Sequence, residues 1–204
     1  MVRQSFASLK VMAATAALLG SSAVLADGAE AASRANFNMV RTAGLDAGCA
    51  ASAAARVSVQ SLGFAEKMTV TVWGLPPGTE LDLFTIQVPN LPFGLGWYVG
   101  DLKIGPTGTA TKTFISRFSV ETFAVAIGEA PAPTPHRGKD AGKNPAFKPV
   151  HTFHLGLWFN SPAEAKRAGC PGFTTPFNGD HTAGVQVLNT GNFPDKQGPL
   201  RQID

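Results

Sequence analysis

The segment KMTVTVWGLPPGTELDLFTIQVP, residues 67–89, holds two runs of strand-forming residues joined by a turn. In the first run, Met68, Val70 and Val72 alternate with threonines, which is the two-residue period of a strand with one apolar face. Two prolines then end the pattern, because proline cannot donate a ladder hydrogen bond, and Gly78 lets the chain turn. The segment therefore predicts two consecutive strands joined by a short turn.

The same composition recurs along most of the chain. Eight runs rich in Val, Ile, Thr and Phe are separated by Gly, Pro and Asn: residues 56–62, 67–74, 81–89, 96–104, 109–116, 121–128, 151–159 and 184–190. Many short strands at regular spacing are typical of an antiparallel sandwich or barrel. The Gly-Pro-Thr-Gly sequence at residues 105–108 further predicts a hairpin between the fourth and fifth runs.

Two short stretches resemble known sandwich domains. GLPPGTELDLF, residues 74–84, resembles the corner between two late strands of fibronectin type III modules, with Leu81 in the place of the corner's inward aromatic. GDLKIGPTGTAT, residues 100–111, resembles hairpins of secreted bacterial sandwich proteins that have no assigned activity. These resemblances imply a mainly β, immunoglobulin/fibronectin-like antiparallel β-sandwich, and they imply nothing definite about function.

The first 26 residues have the features of a secretory signal. Arg3 and Lys10 carry positive charge, residues 11–20 are apolar, and small residues precede an expected cleavage after Ala26. The apolar run is shorter than the roughly 20 residues that span a bilayer, and no run of that length follows. We therefore expect a secreted or cell-surface protein without a transmembrane segment in the mature chain.

The mature chain is expected to form one domain. Residues 27–55 are rich in Ala and Gly and are interpreted as a flexible N-terminal segment, which leaves residues 56–204 for the β-sandwich domain. Residues 129–149 form a long proline-rich loop, and loops of that length are usually functional or disordered. One short helix near residues 162–168 is predicted, because Ser161 and Glu164 have the spacing of a capping box.

Charge and cysteine content narrow the possible partners. Without Arg3 and Lys10, Lys and Arg number 17 − 2 = 15 against 14 Asp and Glu, so the basic excess that nucleic-acid binding requires is missing. Cys49 and Cys170 are the only cysteines and predict a disulfide in an oxidising compartment. Two free thiols or a metal-binding pair are the alternatives.

The histidines of HTFHLGLWF, residues 151–159, do not form a chelating pair. In a strand, His151 shares a face with Phe153, Leu155, Leu157 and Phe159, whereas His154 shares the opposite face with Trp158. A transition-metal site therefore needs His154 together with distant residues, namely His181 and the neighbouring Asp180, or His136. A metal-binding protein or metal-dependent enzyme built on these residues is the alternative functional hypothesis.

Catalytic signatures are missing from the sequence. It contains no G-x-S-x-G or H-E-x-x-H motif, no S-x-x-K in the mature part, and nothing that implies a cofactor. Five acids could include a carboxylate pair for glycoside cleavage but are interpreted as turn and surface residues: Glu80, Asp82, Asp101, Glu121 and Asp180.

The aromatic residues give the first functional hypothesis. Trp73, Trp97, Tyr98 and Trp158 lie at polar strand positions or beside glycines, where they could form a platform for a sugar ring or a protein surface. Packing of these rings beneath the helix and the long loop is the alternative. The sequence thus favours a non-enzymatic extracellular or envelope-associated binding module whose ligand is a glycan or a partner protein.

Overall fold

The computed structural model describes residues 34–125, 148–175 and 178–203. The predicted signal at residues 1–26 and most of the loop predicted at 129–149 lie outside these residues. The described strands are β1 (Arg34–Arg41), β2 (Ala54–Ser61), β3 (Glu66–Trp73), β4 (Glu80–Ile86), β5 (Gly96–Lys103), β6 (Thr109–Ser116), β7 (Phe123–Ala124), β8 (Val150–His151), β9 (His154–Phe159) and β10 (Gln186–Asn189). Helix α1 spans Pro162–Arg167, and a 3₁₀-helix spans Pro199–Gln202.

Eight strands form one antiparallel sheet in the order β5-β4-β9-β10-β1-β2-β3-β6, and β7 pairs with β8 separately. The mainly β, antiparallel prediction is confirmed. The strands form one continuous sheet, however, where a sandwich of the immunoglobulin/fibronectin kind has two. Strand β1 makes the sheet continuous, because Arg34–Met39 pair with β2 while Val40 and Arg41 pair with β10.

The two edge strands of the sheet, β5 and β6, approach each other and give it a nearly barrel-like shape. Lys112 Nζ of β6 donates a hydrogen bond of 2.6 Å to the carbonyl oxygen of Asp101 in β5. The ring of Phe114 lies over Gly100, where an added Cβ would come within 2.9 Å of the ring. The predicted hairpin is therefore wrong in its pairing: β5 hydrogen-bonds along β4, and β6 along β3.

Residues 34–55 are not a flexible segment. In β1, Ala35, Phe37 and Met39 are buried and alternate with exposed residues. The expectation for residues 27–55 is wrong from residue 34 onward, and residues 27–33 lie outside the described part. The two-residue alternation of RANFNMVR was the sequence signal for this strand. It was missed because Asn and Ala are uncommon in strands.

The main core lies on the inner face of the sheet. It includes Met68, Val70 and Val72 of β3, as their alternation predicts, together with Leu81 and Leu83 of β4. In β9, Leu155, Leu157 and Phe159 are fully buried in the same core, which confirms their predicted face. Phe153 packs against this core while partly buried, because the chain is irregular at residues 152–153, between β8 and β9.

The predicted helix and disulfide are both confirmed. Ser161 caps α1 by accepting a 3.3 Å hydrogen bond from the Glu164 backbone nitrogen. Cys170 follows the helix closely and is bonded to Cys49, 121 residues earlier. The bridge thus ties the segment between β1 and β2 to the end of α1. None of the helices in the described part of the chain has the length and apolar character that crossing a bilayer requires.

Candidate functional site

Strands β4 and β9 are buried on both faces. Their inner faces join the main core, and their outer faces contribute Phe84, Ile86 and Trp158 to a second apolar cluster with Phe93 and Ala183. Phe93 and Ala183 come from the segments that follow β4 and precede β10. These two segments cover an outer face that would otherwise meet solvent, and the burial of Trp158 follows from that cover.

Trp158 belongs to this cluster and is not available to a ligand. Its side chain is 0% exposed, and its ring packs edge-to-face on Phe84 and Phe93 with centroid separations of 5.4 and 5.1 Å. The prediction that Trp158 binds a ligand is therefore wrong. A sequence shows which face of a strand a residue occupies, but not which distant segment folds over that face.

Gly156 provides the space that the Trp158 ring occupies. A Cβ at Gly156 would collide with the Trp158 ring and would lie 2.6 Å from Nε2 of Gln186. We expect Gly156→Ala to lower the free energy of unfolding by about 1–3 kcal/mol through overpacking, measured by urea denaturation. Gly179→Ala is the matched control, because that position has open space around it. Equal stability of the two variants would contradict this packing.

His154 is a structural residue. It is 0% exposed, Nε2 lies 3.0 Å from the carbonyl oxygen of Asp195, and Nδ1 lies 2.9 Å from Oγ1 of Thr190. Burial lowers the pKa of His154, which favours the neutral ring. In that form Nε2–H donates to the carbonyl and Nδ1 accepts from the hydroxyl. The histidine thereby fastens β9 to the chain that follows β10.

The structure does not assemble the predicted metal site. Both ring nitrogens of His154 face protein partners, while His181 and Asp180 are exposed in the loop before β10. Within residues 34–125, 148–175 and 178–203, no three His, Cys, Asp or Glu side chains form a group that could hold a metal ion. The metal prediction for this trio is therefore wrong, and His136 lies outside the described residues.

Two of the acids interpreted as surface residues form a pair on the outer face. Asp82 of β4 is opposite Asp101 of β5 in the sheet register and is only 1% exposed. Asn178 Nδ2 donates to Asp82 Oδ2 at 3.2 Å, and the Tyr98 hydroxyl donates to Asp101 Oδ1 at 2.6 Å. Burial, together with the hydrogen bond and charge of Asp101, raises the pKa of Asp82 to about 7. The surface interpretation is wrong for Asp82.

Beside this pair is a polar recess of about 460 Å³, lined in part by Glu80, Asp101, Lys103 and Lys112. Its charged groups already have partners: Lys103 forms a 2.7 Å ion pair with Glu80, and Lys112 donates to the backbone of Asp101. Exposed pairs of this kind contribute little to stability. The protein itself thus already engages the lysines of the recess.

A larger and more apolar pocket opens where β5 and β6 diverge. We call it the apolar pocket. It has a volume of about 490 Å³, and most of its wall is hydrophobic, including Leu95, Trp97, Val99, Phe114, Phe118 and Phe123. Trp97 lies opposite Thr85 in the register of β4 and β5, yet it is 70% exposed, so it lies at the mouth of the pocket.

The apolar pocket also has polar lining residues, namely Thr85, Ser116, Arg117, Glu121, Thr122 and Thr152. Arg117 and Glu121 line it and form an ion pair of 3.1 Å, with the Glu121 side chain 6% exposed. Thr85 also lines it, at the inward position that follows Leu81 and Leu83 along β4. A polar residue on the otherwise apolar inward face of β4 was the available sequence signal for Thr85, and sequence reasoning missed it.

The four aromatic residues predicted to bind a ligand are thus separated. Trp97 and Tyr98 both line the apolar pocket, with Tyr98 48% exposed and its ring against Phe84. Trp73 is 40% exposed on the outer face of β3, which it shares with Thr69 and Thr71, and it does not line the pocket. The chain matches no protein-family model and no curated protein sequence significantly.

Proposed function

We propose that this protein is an exported, non-enzymatic binding module that holds a small, largely apolar ligand in the apolar pocket. The observation that carries the proposal is a pocket of about 490 Å³ with aromatic walls and an exposed tryptophan at its mouth. Small-molecule sites typically have volumes of about 300–1,000 Å³ and mostly apolar walls with a few polar groups. The signal-like residues 1–26 and the disulfide support a location outside the cytoplasm.

The exposure of Trp97 supports a role in binding. Leaving a large aromatic side chain in water forgoes roughly 1.5–3 kcal/mol of burial free energy, which a ligand could recover by covering the ring. Trp97 also occupies an inward-facing position near the start of β5, so a molecule inside the pocket contacts it from the pocket side. Trp73, in contrast, lies on an outer face beside threonines and does not line the apolar pocket.

We expect Trp97→Ala to weaken binding of the uncharged fluorescent probe N-phenyl-1-naphthylamine by at least about tenfold, because the ring contributes contact area and excludes water from the pocket. The probe's fluorescence increase on titration with native protein measures this affinity. Trp73→Ala is the matched control, since it removes an exposed tryptophan outside the pocket, and its affinity should equal that of the wild type. Unchanged binding by Trp97→Ala, or no saturable binding by the wild type, would refute the proposal.

A glycan or a partner protein is the rival ligand for the same exposed rings. Trp97 and Tyr98 are adjacent on β5, and the hydrogen bond from Tyr98 to Asp101 holds a polar group beside an aromatic face. Sugar-binding platforms use such combinations. Oligosaccharides that quench tryptophan fluorescence in the wild type but not in Trp97→Ala, without displacing the naphthylamine probe, would favour the glycan over the small apolar ligand.

A further inference from the structure

We propose that Thr85 is the recognition group of the apolar pocket, and that the ligand is an amphipathic molecule with an apolar ring or chain and one uncharged hydrogen-bonding head. This inference rests on the proposed function and names the chemical class of the ligand. The Thr85 side chain is 1% exposed, and its Oγ1 has no hydrogen-bond partner among the described residues. A buried hydroxyl without a partner costs free energy, so an unpaired one beside a pocket indicates a ligand group that pairs with it.

The other threonines of the pocket differ from Thr85 in this respect. Thr122 Oγ1 donates to the carbonyl oxygen of Arg117 at 3.0 Å and accepts from the backbone nitrogen of Ser119 at 2.8 Å. Thr152 Oγ1 is directed at the carbonyl oxygen of Thr122, at 3.4 Å. The hydroxyls of Thr122 and Thr152 therefore already have hydrogen-bond partners in the protein. The hydroxyl of Thr85 is left to pair with a bound molecule.

The position of Thr85 defines how a ligand lies in the pocket. Thr85 faces Trp97 across the β4–β5 ladder and Leu155 across the β4–β9 ladder, so this residue lies between the exposed ring and the main core. A ligand that reaches this hydroxyl places its head at the inner end of the pocket. Its apolar body then fills the space toward Trp97.

The charges of the pocket favour a neutral head over a carboxylate. The one cation in the pocket wall, among the described residues, is Arg117, and Glu121 already neutralises it at 3.1 Å. A second carboxyl, that of the buried Glu66, is close enough to Arg117 and Glu121 for their charges to influence its pKa. Among the described residues a ligand carboxylate would meet this acidic surrounding without an unpaired cation in the pocket wall, whereas a hydroxyl or amide avoids the repulsion.

Three probes with the same ring system test the inference: naphthalene, 2-naphthol and 2-naphthoate, each measured by displacement of N-phenyl-1-naphthylamine. For the wild type we expect 2-naphthol to bind about tenfold more tightly than naphthalene, as one buried hydrogen bond allows, and 2-naphthoate to bind more weakly than 2-naphthol. In Thr85→Val, which keeps the shape and removes the hydroxyl, the preference for 2-naphthol over naphthalene should fall to near one. Thr85→Ser should restore it.

Each outcome distinguishes the two proposals. If none of the probes displaces the naphthylamine, or if Trp97→Ala binds them all normally, the proposed function fails. If the probes bind but Thr85→Val keeps the tenfold preference, or if 2-naphthoate binds best, the inference about Thr85 fails while the pocket remains a binding site. Thermal unfolding of Thr85→Val provides a second readout: without ligand its melting temperature should be at least that of the wild type, because an unpaired buried hydroxyl has been removed.

Discussion

Asp82→Asn is expected to stabilise the protein at pH 8 and to remove much of the loss of stability that the wild type shows between pH 4 and pH 7. The pKa of Asp82 is raised to about 7 in the fold, mainly by burial, from 3.8. Between these two values the folded protein holds a proton that the unfolded chain releases, so the free energy of unfolding falls as pH rises. The shift corresponds to a loss of at most about 4 kcal/mol, because Asp101 shares in the titration, and the loss is complete only above pH 7.

Guanidinium unfolding of the wild type and Asp82→Asn at pH 5 and pH 8 measures this effect. Asparagine resembles the protonated aspartate, retains an oxygen that can accept from Asn178, and carries no charge for Asp101 to repel. Asp180→Asn is the matched control at an exposed aspartate, and its stability should follow that of the wild type at both pH values. An Asp82→Asn variant with the same pH dependence as the wild type would show that Asp82 is ionised in the fold across this range.

Removal of the disulfide is expected to lower the free energy of unfolding by about 4–5 kcal/mol. The bond between Cys49 and Cys170 closes a loop with a sequence separation of 121, and cross-linking residues that far apart restricts the unfolded chain strongly. The double variant Cys49→Ala/Cys170→Ala avoids an unpaired thiol, and both positions are buried in the core. Urea unfolding of the double variant against the oxidised wild type measures the change.

The wild type unfolded in the presence of dithiothreitol is the control for this experiment. Reduction and double substitution should lower stability by similar amounts if loop closure is the cause, since both open the same loop. The folded double variant should retain the naphthylamine affinity of the wild type, because neither cysteine lines the apolar pocket. A loss below about 1 kcal/mol would contradict the chain-entropy estimate.

The parts of the fold that sequence reasoning predicted are those with local signals. The alternation of Met68, Val70 and Val72 places them on the inner face of β3, and the capping box at Ser161 and Glu164 begins α1 where the structure has it. These signals are local because the period of a strand and the cap of a helix depend on residues only a few positions apart. Strand β1 had the same kind of signal, but its apolar positions are occupied by Ala, Phe and Met between asparagines.

Sequence reasoning predicted only part of the candidate site. Trp97 and Tyr98 were predicted as ligand-binding residues, and they line the apolar pocket. Thr85 and the burial of Asp82 were not predicted, because both depend on what lies across a neighbouring strand. The Asp82–Asp101 pair exists through the register of β4 and β5, and the pocket exists because β5 and β6 are the edges of one curved sheet.

Spacing along the chain is enough to predict the strand faces, the capped helix and the pair of cysteines available for a disulfide. Long-range contacts were needed to show that β1 joins both halves of the sheet, that His154 and Trp158 are buried, and that the apolar pocket lies beside Thr85. Burial and pairing are properties of two surfaces in contact. A strand's own residues specify only one of them, and the covering surface comes from segments far away in the chain.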